Sequence, residues 1–459
     1  MQLARQLRTV DFFTLGWGTM IGAGWLVVMD DWLSRGGPAG ATLGFALCGL
    51  ALLPIAWVYG QLVAAMPDAG AELAYASAVM PPRVSFFAGW LMLPAYLVVC
   101  PWEAVAIGKI LARLFPALDR GTLYQVRGNA VHLPQIAIGF ALIAIIACLN
   151  YRGISVTARL QNWSSFIILA CGAGFILLAV VRGSAENLQP VFTHAPWISV
   201  VLVLQIAPYF LIGFEAVAKC SEEARVDYQP QRFFRAIVLA LTIGVAFYLA
   251  VILAASYVYP WRTIPSGSLL TAVAFERAFG APWLANAILA AALLSLIKIF
   301  NGNFVAATRL LFALGRGGYV PARLGAVNSR HQTPVVAIVV LALATAAAVL
   351  VGNALLVPAT ELGSAAGAAG WLFSCVSFVL LRKQMRGGFV ALLGAAVAIT
   401  LLVIKLAPAI PGHFTATEYW LGLAWLVAGA LIYRNPTSVA ASAASGSCGI
   451  TTGTGHVPS

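Results

Sequence analysis

Three ionisable side chains lie deep within long apolar stretches, and they are the first residues in the chain that could do chemistry. Lys298 lies near the middle of the apolar segment 283–314, about 15 residues or roughly 20 Å of helix from either end. Glu215 and Glu103 lie within two other apolar segments. A charge within a membrane is costly and usually faces a cavity or a partner. The pattern therefore predicts that each of these three groups faces a cavity or a partner.

Two of the apolar segments also carry residues that interrupt a helix. The stretch "GWGTMIGAGW" contains four glycines, and "LQIAPYFLIGFEAVAKCSEEA" contains Pro208 and Gly213. Close packing through the Gly18 and Gly22 pair is one explanation, and a dinucleotide loop is disfavoured because no strand precedes the glycines. A deliberate helix break is favoured, because unwound backbone at membrane depth lines a cavity or is buried in protein.

The first break has a chemical consequence. Unwinding around Gly22, Ala23 and Gly24 would free backbone N–H groups and expose the positive end of a half-helix, which binds a carboxylate. Glycine permits the required dihedral angles and lets a ligand approach the backbone closely. The stretch therefore predicts a carboxylate site in mid-membrane.

The composition defines the class of protein. Of 459 residues, 61% are hydrophobic and 9% are charged, whereas a soluble protein has about 25% charged residues. The seven cysteines include no C-x-x-C pair and the five histidines are isolated, which argues against a disulfide framework and a zinc site. No His/Asp cluster, nucleophile motif or cofactor motif indicates an enzyme. The chain is predicted to be a polytopic membrane protein without a cofactor.

Apolar runs long enough to cross a bilayer need about 20 residues, and we predict twelve of them. They are 12–33, 41–65, 84–114, 134–150, 158–181, 199–219, 233–259, 283–314, 334–352, 357–381, 388–407 and 418–433. The two interrupted segments are the first and the sixth, at equivalent positions in two sets of five. Interruptions at corresponding positions indicate a transporter site built from inverted repeats.

The basic residues indicate the orientation. If the N-terminus is cytoplasmic, 17 of the 27 lysines and arginines fall on the cytoplasmic side, with Lys219 among them and Lys405 outside. Both termini are therefore predicted to be cytoplasmic, with residues 1–11 preceding the first span and no cleavable signal peptide. The net charge of +12 is explained by this bias, so nucleic-acid binding is not expected. The small, polar tail 434–459 is predicted to be disordered, and 262–281 to hold a short amphipathic helix on the outer surface.

Five stretches, in this order, resemble the amino acid–polyamine–organocation (APC) superfamily. They are "GWGTMIGAGW", "PDAGAELAYA", "PWEAVAIGK", "FLIGFEAVAKCSEEA" and "NGNFVAATRLLFALGRGGYVP". The resemblance implies an all-α membrane protein of twelve transmembrane helices with a LeuT-like fold. Residues 12–181 and 199–381 would form the two inverted repeats, with helices 1 and 6 discontinuous, and 388–433 would add two helices.

The resemblance also implies where an amino acid would bind. The backbone around the first break would hold the α-carboxylate, and the carbonyls freed around Tyr209–Gly213 would accept bonds from the α-ammonium group. Tyr209 is the expected gate over the substrate, with Phe210 and Phe214 as alternatives. Trp25 either narrows the side-chain pocket or packs on span six. The predicted substrate-binding residues are Ile21, Gly22, Ala23, Gly24, Trp25, Tyr209, Phe210, Gly213 and Phe214.

For coupling, the resemblance implies that Lys298 faces the first break, where sodium-coupled relatives hold an ion. A lysine there can act as a tethered cation, although proton-coupled relatives carry it on span five, which has none here. The alternative is that Lys298 only pairs with a carboxylate. Glu215 occupies a position linked to proton sensing, with a purely structural role as the alternative. Glu103 faces the site or pairs with Lys109.

Two further charges begin the loop after span six and two end span eight, and the resemblance suggests a cytoplasmic gate. Glu222 and Glu223 could pair with Arg309 and Arg316, but exposed pairs contribute only about 0–1 kcal/mol. The sequence favours solvated charges at the membrane surface for these four residues.

The predicted function is secondary active transport of an amino acid or related amine across the inner or plasma membrane, proton-coupled and sodium-independent. An exchanger of amino acids or polyamines is the alternative, followed by an ion-only transporter or a sensor of the same fold. A fixed acid in the side-chain pocket would favour cationic substrates, and its absence small neutral or aromatic amino acids. The sequence makes no prediction of oligomeric state.

Overall fold

The computed structural model describes residues 3–265, 269–381 and 387–436, and most of them are helical. The basic residues 382, 383 and 386, and the predicted disordered tail from residue 437 onwards, lie outside the described residues. The first half contains α1 Thr9–Met20, α2 Gly24–Val27, α3 Met29–Ala65, α4 Glu72–Ser77, α5 Pro82–Leu97, α6 Val99–Leu114, α7 Leu133–Arg152 and α8 Ile154–Arg182. The second half contains α9 Pro196–Leu204, α10 Ala207–Leu211, α11 Ala216–Lys219, α12 Gln231–Val258, α13 Leu270–Phe279, α14 Pro282–Arg316, α15 Val335–Val349, α16 Leu356–Leu380, α17 Gly388–Leu406 and α18 Ala416–Ile432.

Eight of the described helices are long and apolar enough to cross a membrane, with α5 and α6 counted as one and α16 counted from Gly352. Two more, α15 and α18, are apolar but shorter. The predicted spans 12–33 and 199–219 coincide with the short helices α1–α2 and α9–α11. The lipid-facing character is clearest on α8, where Leu177 and Val181 are exposed.

The boundary between the first two predicted spans is a kink within α3. Gly37 adopts φ +67°, and Pro38 follows it. A Cβ at Gly37 would lie 2.6 Å from the carbonyl oxygen of Val191, so this turn requires glycine. The first helical stretch of α3, residues 29–36, therefore ends at this kink, which lies between the predicted spans 12–33 and 41–65.

The two interrupted segments lie at the centre of the bundle. α1 packs against α8, α12 and α14, and α10 packs against α3 and α16. Nine residues of α1 are buried, from Asp11 to Met20, as are all residues of α10 and α11. Trp17 and Trp25 are fully buried in this core. The long helices thus enclose the segments whose backbone is irregular.

Two elements lie between the spans. A hairpin pairs β1 Thr122–Val126 with β2 Asn129–His132 through a tight turn in which Arg127 and Gly128 both have positive φ. The sequence analysis did not predict this hairpin, because its strands are short and polar. α13 lies within the predicted segment 262–281, but its first six residues are buried, so the helix does not lie freely on the surface.

The charges after spans six and eight form ion pairs of two kinds. Arg309 donates to both carboxylate oxygens of Glu223 at 2.9 and 3.1 Å, and neither side chain is more than 1% exposed. Burial raises the pKa of Glu223, and the charge of Arg309 opposes that rise. Arg316 pairs with Glu222 and Asp68 and is 39% exposed. The prediction of solvated charges was therefore wrong for Arg309 and Glu223. The segment after α11 packs against α14, and this contact buries both side chains.

We expect the buried pair to stabilise the fold far more than the exposed one. Glu223→Gln leaves the Arg309 guanidinium buried without its counter-charge and should lower the free energy of unfolding by about 3–5 kcal/mol. Glu222→Gln leaves Arg316 with Asp68 and should cost about 0–1 kcal/mol. Thermal and denaturant unfolding of the purified variants measures both, and equal losses would contradict the assignment.

Candidate functional site

The first interruption separates α1 from α2. Helical geometry ends at Met20, Ile21 is extended with φ −90° and ψ 101°, and α2 begins at Gly24. The N–H of Ile21 donates to Trp17. Along the chain, the next backbone hydrogen bond described outside the helices runs from the N–H of Leu26 to the carbonyl of Ala23. All residues from Ile21 to Val27 are buried in the bundle.

The second interruption separates α10 from α11. Ile212 is extended, and Gly213 has φ +133°. A Cβ at Gly213 would lie 2.6 Å from the backbone nitrogen of Met20 and 2.7 Å from the carbonyl carbon of Thr19. The two interruptions therefore meet backbone to backbone, and only glycine fits at the contact.

A narrow cavity lies where the interruptions meet. It has a volume of about 10 Å³ and admits only about one water-sized sphere. Five of the predicted residues line it: Gly22, Gly24, Glu103, Tyr209 and Phe210. Its walls also include Trp102, Tyr248, Ile299 and Asn303, which the sequence analysis did not select. Asn303 carried a signal, because an amide within an apolar segment needs a polar partner.

The glycines of the first break make room for side chains from other helices. A Cβ at Gly24 would lie 2.6 Å from the ring of Phe210, and one at Gly22 would lie 2.8 Å from the side chain of Ile299 and 3.4 Å from Oε1 of Glu103. Gly18 packs instead on the side-chain amide of Gln161, whose Nε2 would lie 2.4 Å from a Cβ at Gly18. Close packing and the break therefore both use glycines of this stretch.

Two predicted aromatic residues point away from the cavity. Trp25 packs on Phe175 and Phe247, with ring centroids 6.0 and 6.4 Å away. Phe214 stacks on Trp371 at 5.8 Å. Tyr209 lines the cavity, its ring fills the space next to Gly363, and its hydroxyl has no hydrogen-bond partner among the described residues.

Lys298 lies behind the first break and is fully buried. Its Nζ donates to the carbonyl oxygen of Ile21 at 2.7 Å and lies 4.4 Å from the centre of the Trp17 ring. Ser295, one turn earlier, donates to the same carbonyl at 3.3 Å. The ion pairs between described residues do not include Lys298. The ammonium group is thus held by the unwound backbone and an aromatic face.

The two glutamates have different surroundings. Both oxygens of Glu215 accept from the N–H of Gly213, at 3.2 and 3.1 Å, and Oε1 also accepts from the Tyr96 hydroxyl at 3.0 Å. These are the bonds that a structural role requires. Glu103 is 2% exposed and lines the cavity, and its Oε2 has no partner among the described residues. The described ion pairs do not join it to Lys109.

A buried cavity between two interrupted helices, inside a bundle of apolar helices, is the arrangement of a membrane transporter. The chain belongs to the amino acid permease family, whose model matches residues 7–431. This confirms the resemblance to the APC superfamily and defines a multi-pass membrane transport protein.

The relatives span almost the whole chain. It is 26% identical to the branched-chain amino acid permease BcaP of Bacillus subtilis over 94% of this chain and 92% of that protein. It is 26% identical to the methylthioribose transporter of Bacillus subtilis over 72% of each chain. It is 24% identical to the amino-acid permease RocE of Bacillus subtilis over 83% of this chain and 82% of that protein.

We expect the contact between the interruptions to tolerate no side chain. Gly213→Ala combines a positive φ with a clash against the Met20 backbone and should destabilise the protein by about 1–3 kcal/mol. Gly174→Ala on α8, where a Cβ would meet nothing within 4 Å, is the matched control and should be neutral or slightly stabilising. Thermal unfolding of both variants tests this, and a neutral Gly213→Ala would show that the two backbones are not in contact.

Proposed function

We propose that the protein is a secondary active transporter of a neutral amino acid, proton-coupled and sodium-independent, which works by alternating access. The observation that carries the proposal is the cavity at which the two helix interruptions meet. We further propose a LeuT-like arrangement of two five-helix repeats with two added helices, in a cytoplasmic membrane with both termini in the cytoplasm. The distribution of basic residues supports that orientation.

The amino acid would bind through its backbone groups. Its carboxylate would accept bonds from the amides of Gly22, Ala23 and Gly24, and its ammonium group would donate to carbonyls freed between Tyr209 and Gly213. The narrowness of the cavity supports a gating role for Tyr209 and Phe210, whose rings must turn aside to admit a substrate.

The walls support a neutral, apolar side chain. Val99, Trp102, Ile212 and Ile299 line the cavity, and the relative BcaP is named for branched-chain amino acids. The acid in the cavity, Glu103, lies beside Gly22, at the end that would hold the substrate backbone. We therefore assign Glu103 to the proton and not to the side chain of a cationic substrate.

Coupling would use Lys298. Its ammonium group bonds to the Ile21 carbonyl at the first break, so a protonated Lys298 holds α14 against the interrupted segment. A buried lysine can release its proton, and release would free the segment to move and open the cavity to one side. Glu103 is the second proton carrier in this scheme, and Glu215 fixes the other break.

We expect Gly24→Val to abolish substrate binding in a protein that still folds. The β-branched side chain would occupy the space of the Phe210 ring and the proposed carboxylate site, and binding should weaken at least about tenfold, the equivalent of 1.4 kcal/mol. Binding is measured as thermal stabilisation by a panel of branched-chain, aromatic and cationic amino acids. Gly174→Val is the control, and normal binding by Gly24→Val would refute the site.

We expect Lys298→Ala to abolish or uncouple net transport while substrate still binds. Lys298→Arg should also impair transport, because a guanidinium group does not release its proton. The measurement is uptake into proteoliposomes with and without sodium and with an imposed pH gradient. Strict sodium dependence, or a Lys298→Ala variant with the wild-type response to the gradient, would refute the role. Transport only in the presence of internal amino acid would indicate the alternative, an exchanger.

A further inference from the structure

A second group of ionisable side chains is buried on the side of the cavity that the charge bias predicts to be cytoplasmic. It joins α3, α4, α5 and the segment after the second interruption, and we call it the inner cluster. Its members are Tyr59, Glu72, Tyr96, Glu215 and Lys219, none of them measurably exposed. Lys219 was counted among the cytoplasmic charges in the sequence analysis, but the structure buries it completely.

The inner cluster is one continuous network. Lys219 and the Tyr59 hydroxyl both donate to Oε1 of Glu72. The Lys219 ammonium group also lies over the rings of Tyr59 and Tyr96, at 5.5 and 5.0 Å from their centres. Tyr96 in turn donates to Glu215 at 3.0 Å. The two carboxylates are therefore linked through one lysine and two tyrosines.

The charges of the inner cluster do not balance. Two ionised carboxylates and one ammonium group give a net charge of −1, in a place without contact with solvent. The neighbouring cation, Arg309, is already paired with Glu223. Two further titratable groups lie beside the cluster. Tyr75 on α4 is neutral at ordinary pH, and its hydroxyl has no partner among the described residues. The buried thiol of Cys220, beside Lys219, is neutral at ordinary pH as well. Burying an unpaired charge is costly, and such a group takes up a proton instead.

The hydrogen bonds favour a proton over a metal ion as the balancing cation. Oε1 of Glu72 and both oxygens of Glu215 already accept hydrogen bonds. Of these four carboxylate oxygens, Oε2 of Glu72 is the one without a partner. A hard cation requires several oxygen ligands at once, whereas a proton requires one.

We propose that the inner cluster binds one proton, shared between the carboxyl groups of Glu72 and Glu215 under the control of Lys219. The proton site is distinct from Lys298 and Glu103, which lie at the first interruption. Because Glu215 accepts from the Gly213 amide, the charge of the cluster acts directly on the second interruption. Because Glu72 begins α4, the same charge acts on the segment that follows α3. The link to transport rests on the proposed function, but the proton site does not.

The test is infrared spectroscopy of the purified protein at neutral pH, which detects the carbonyl band of a protonated carboxylic acid. Difference spectra against the wild type cancel the contribution of every other acid. Glu72→Gln leaves Lys219 balanced by Glu215 and should remove one protonated carboxyl. Glu215→Gln leaves Lys219 balanced by Glu72 and should remove the same band. Lys219→Gln leaves two unbalanced acids, so the band of the cluster should grow about twofold.

A double variant keeps the test decisive if Lys219→Gln does not fold. Glu72→Gln with Lys219→Gln leaves only Glu215, which should hold the proton, so the band should match the wild type in intensity. The matched control is Glu361→Gln. Glu361 pairs with Lys405 between α16 and α17, in a buried pair whose opposite charges cancel, so its loss should remove no protonated carboxyl.

Unchanged spectra in both Glu72→Gln and Glu215→Gln would overturn the proposal, as would loss of an equal band in Glu361→Gln. The spectra are independent of substrate, so they separate this proposal from the proposed function. If the bands change as expected and amino acid uptake is absent, the proton site stands and the transport assignment fails. If uptake is present and the bands do not change, the transport assignment stands and the proton site fails. Where both hold, Glu72→Gln should alter the dependence of uptake on cytoplasmic pH, and Glu361→Gln should not.

Discussion

The structure depends on how the unwound backbone at the first interruption is satisfied. Carbonyl groups without a helical partner are costly in a membrane, because no water is present to bond them. Here the carbonyl of Thr19 accepts from Asn303 at 3.2 Å, that of Met20 from Tyr248 at 3.1 Å, and that of Ile21 from Lys298 at 2.7 Å. Side chains of α12 and α14 thus replace the missing turn of helix, and these two long helices hold the break open.

The second interruption is satisfied in another way. There one freed group is the N–H of Gly213, and its partner is a carboxylate only two residues along the chain, Glu215. The first break therefore depends on distant helices, whereas the second carries its own acceptor. Movement of α14 relative to α1 breaks bonds at the first interruption and leaves the Gly213–Glu215 bonds intact. This asymmetry makes the first interruption the one that depends on its contacts with α12 and α14.

The sequence predicted the helices and their interruptions better than it predicted their partners. Glycine and proline within apolar runs disclose a break locally, so Gly22, Gly24, Pro208 and Gly213 could be selected without a structure. Tyr248 could not, because one tyrosine in the apolar segment of α12 resembles any other until the packing is known. Which residues face the cavity depends on the rotation of each helix. Helices that are apolar on all sides give no period from which that rotation can be read.

The burial of charged side chains also could not be predicted from local sequence patterns. Lys219 and Lys405 lie near the ends of apolar segments, where a lysine normally reaches water, yet the structure buries both against carboxylates. Glu223 and Arg309 were likewise expected in solvent. Each of these partners lies on a different helix or loop, separated by 44 to 147 residues in the chain. Spacing within one segment cannot reveal such pairs.

The buried lysines differ in what holds them, and that difference bears on which of them can move. Lys405 faces one carboxylate, so separating the pair would leave two unpaired charges in the membrane, which is strongly unfavourable. Lys298 is held by a carbonyl group and an aromatic ring, neither of which carries a charge. Loss of its proton would leave a neutral amine beside a neutral carbonyl. The contact of Lys298 with Ile21, unlike the salt bridge between Lys405 and Glu361, therefore does not depend on a charged partner.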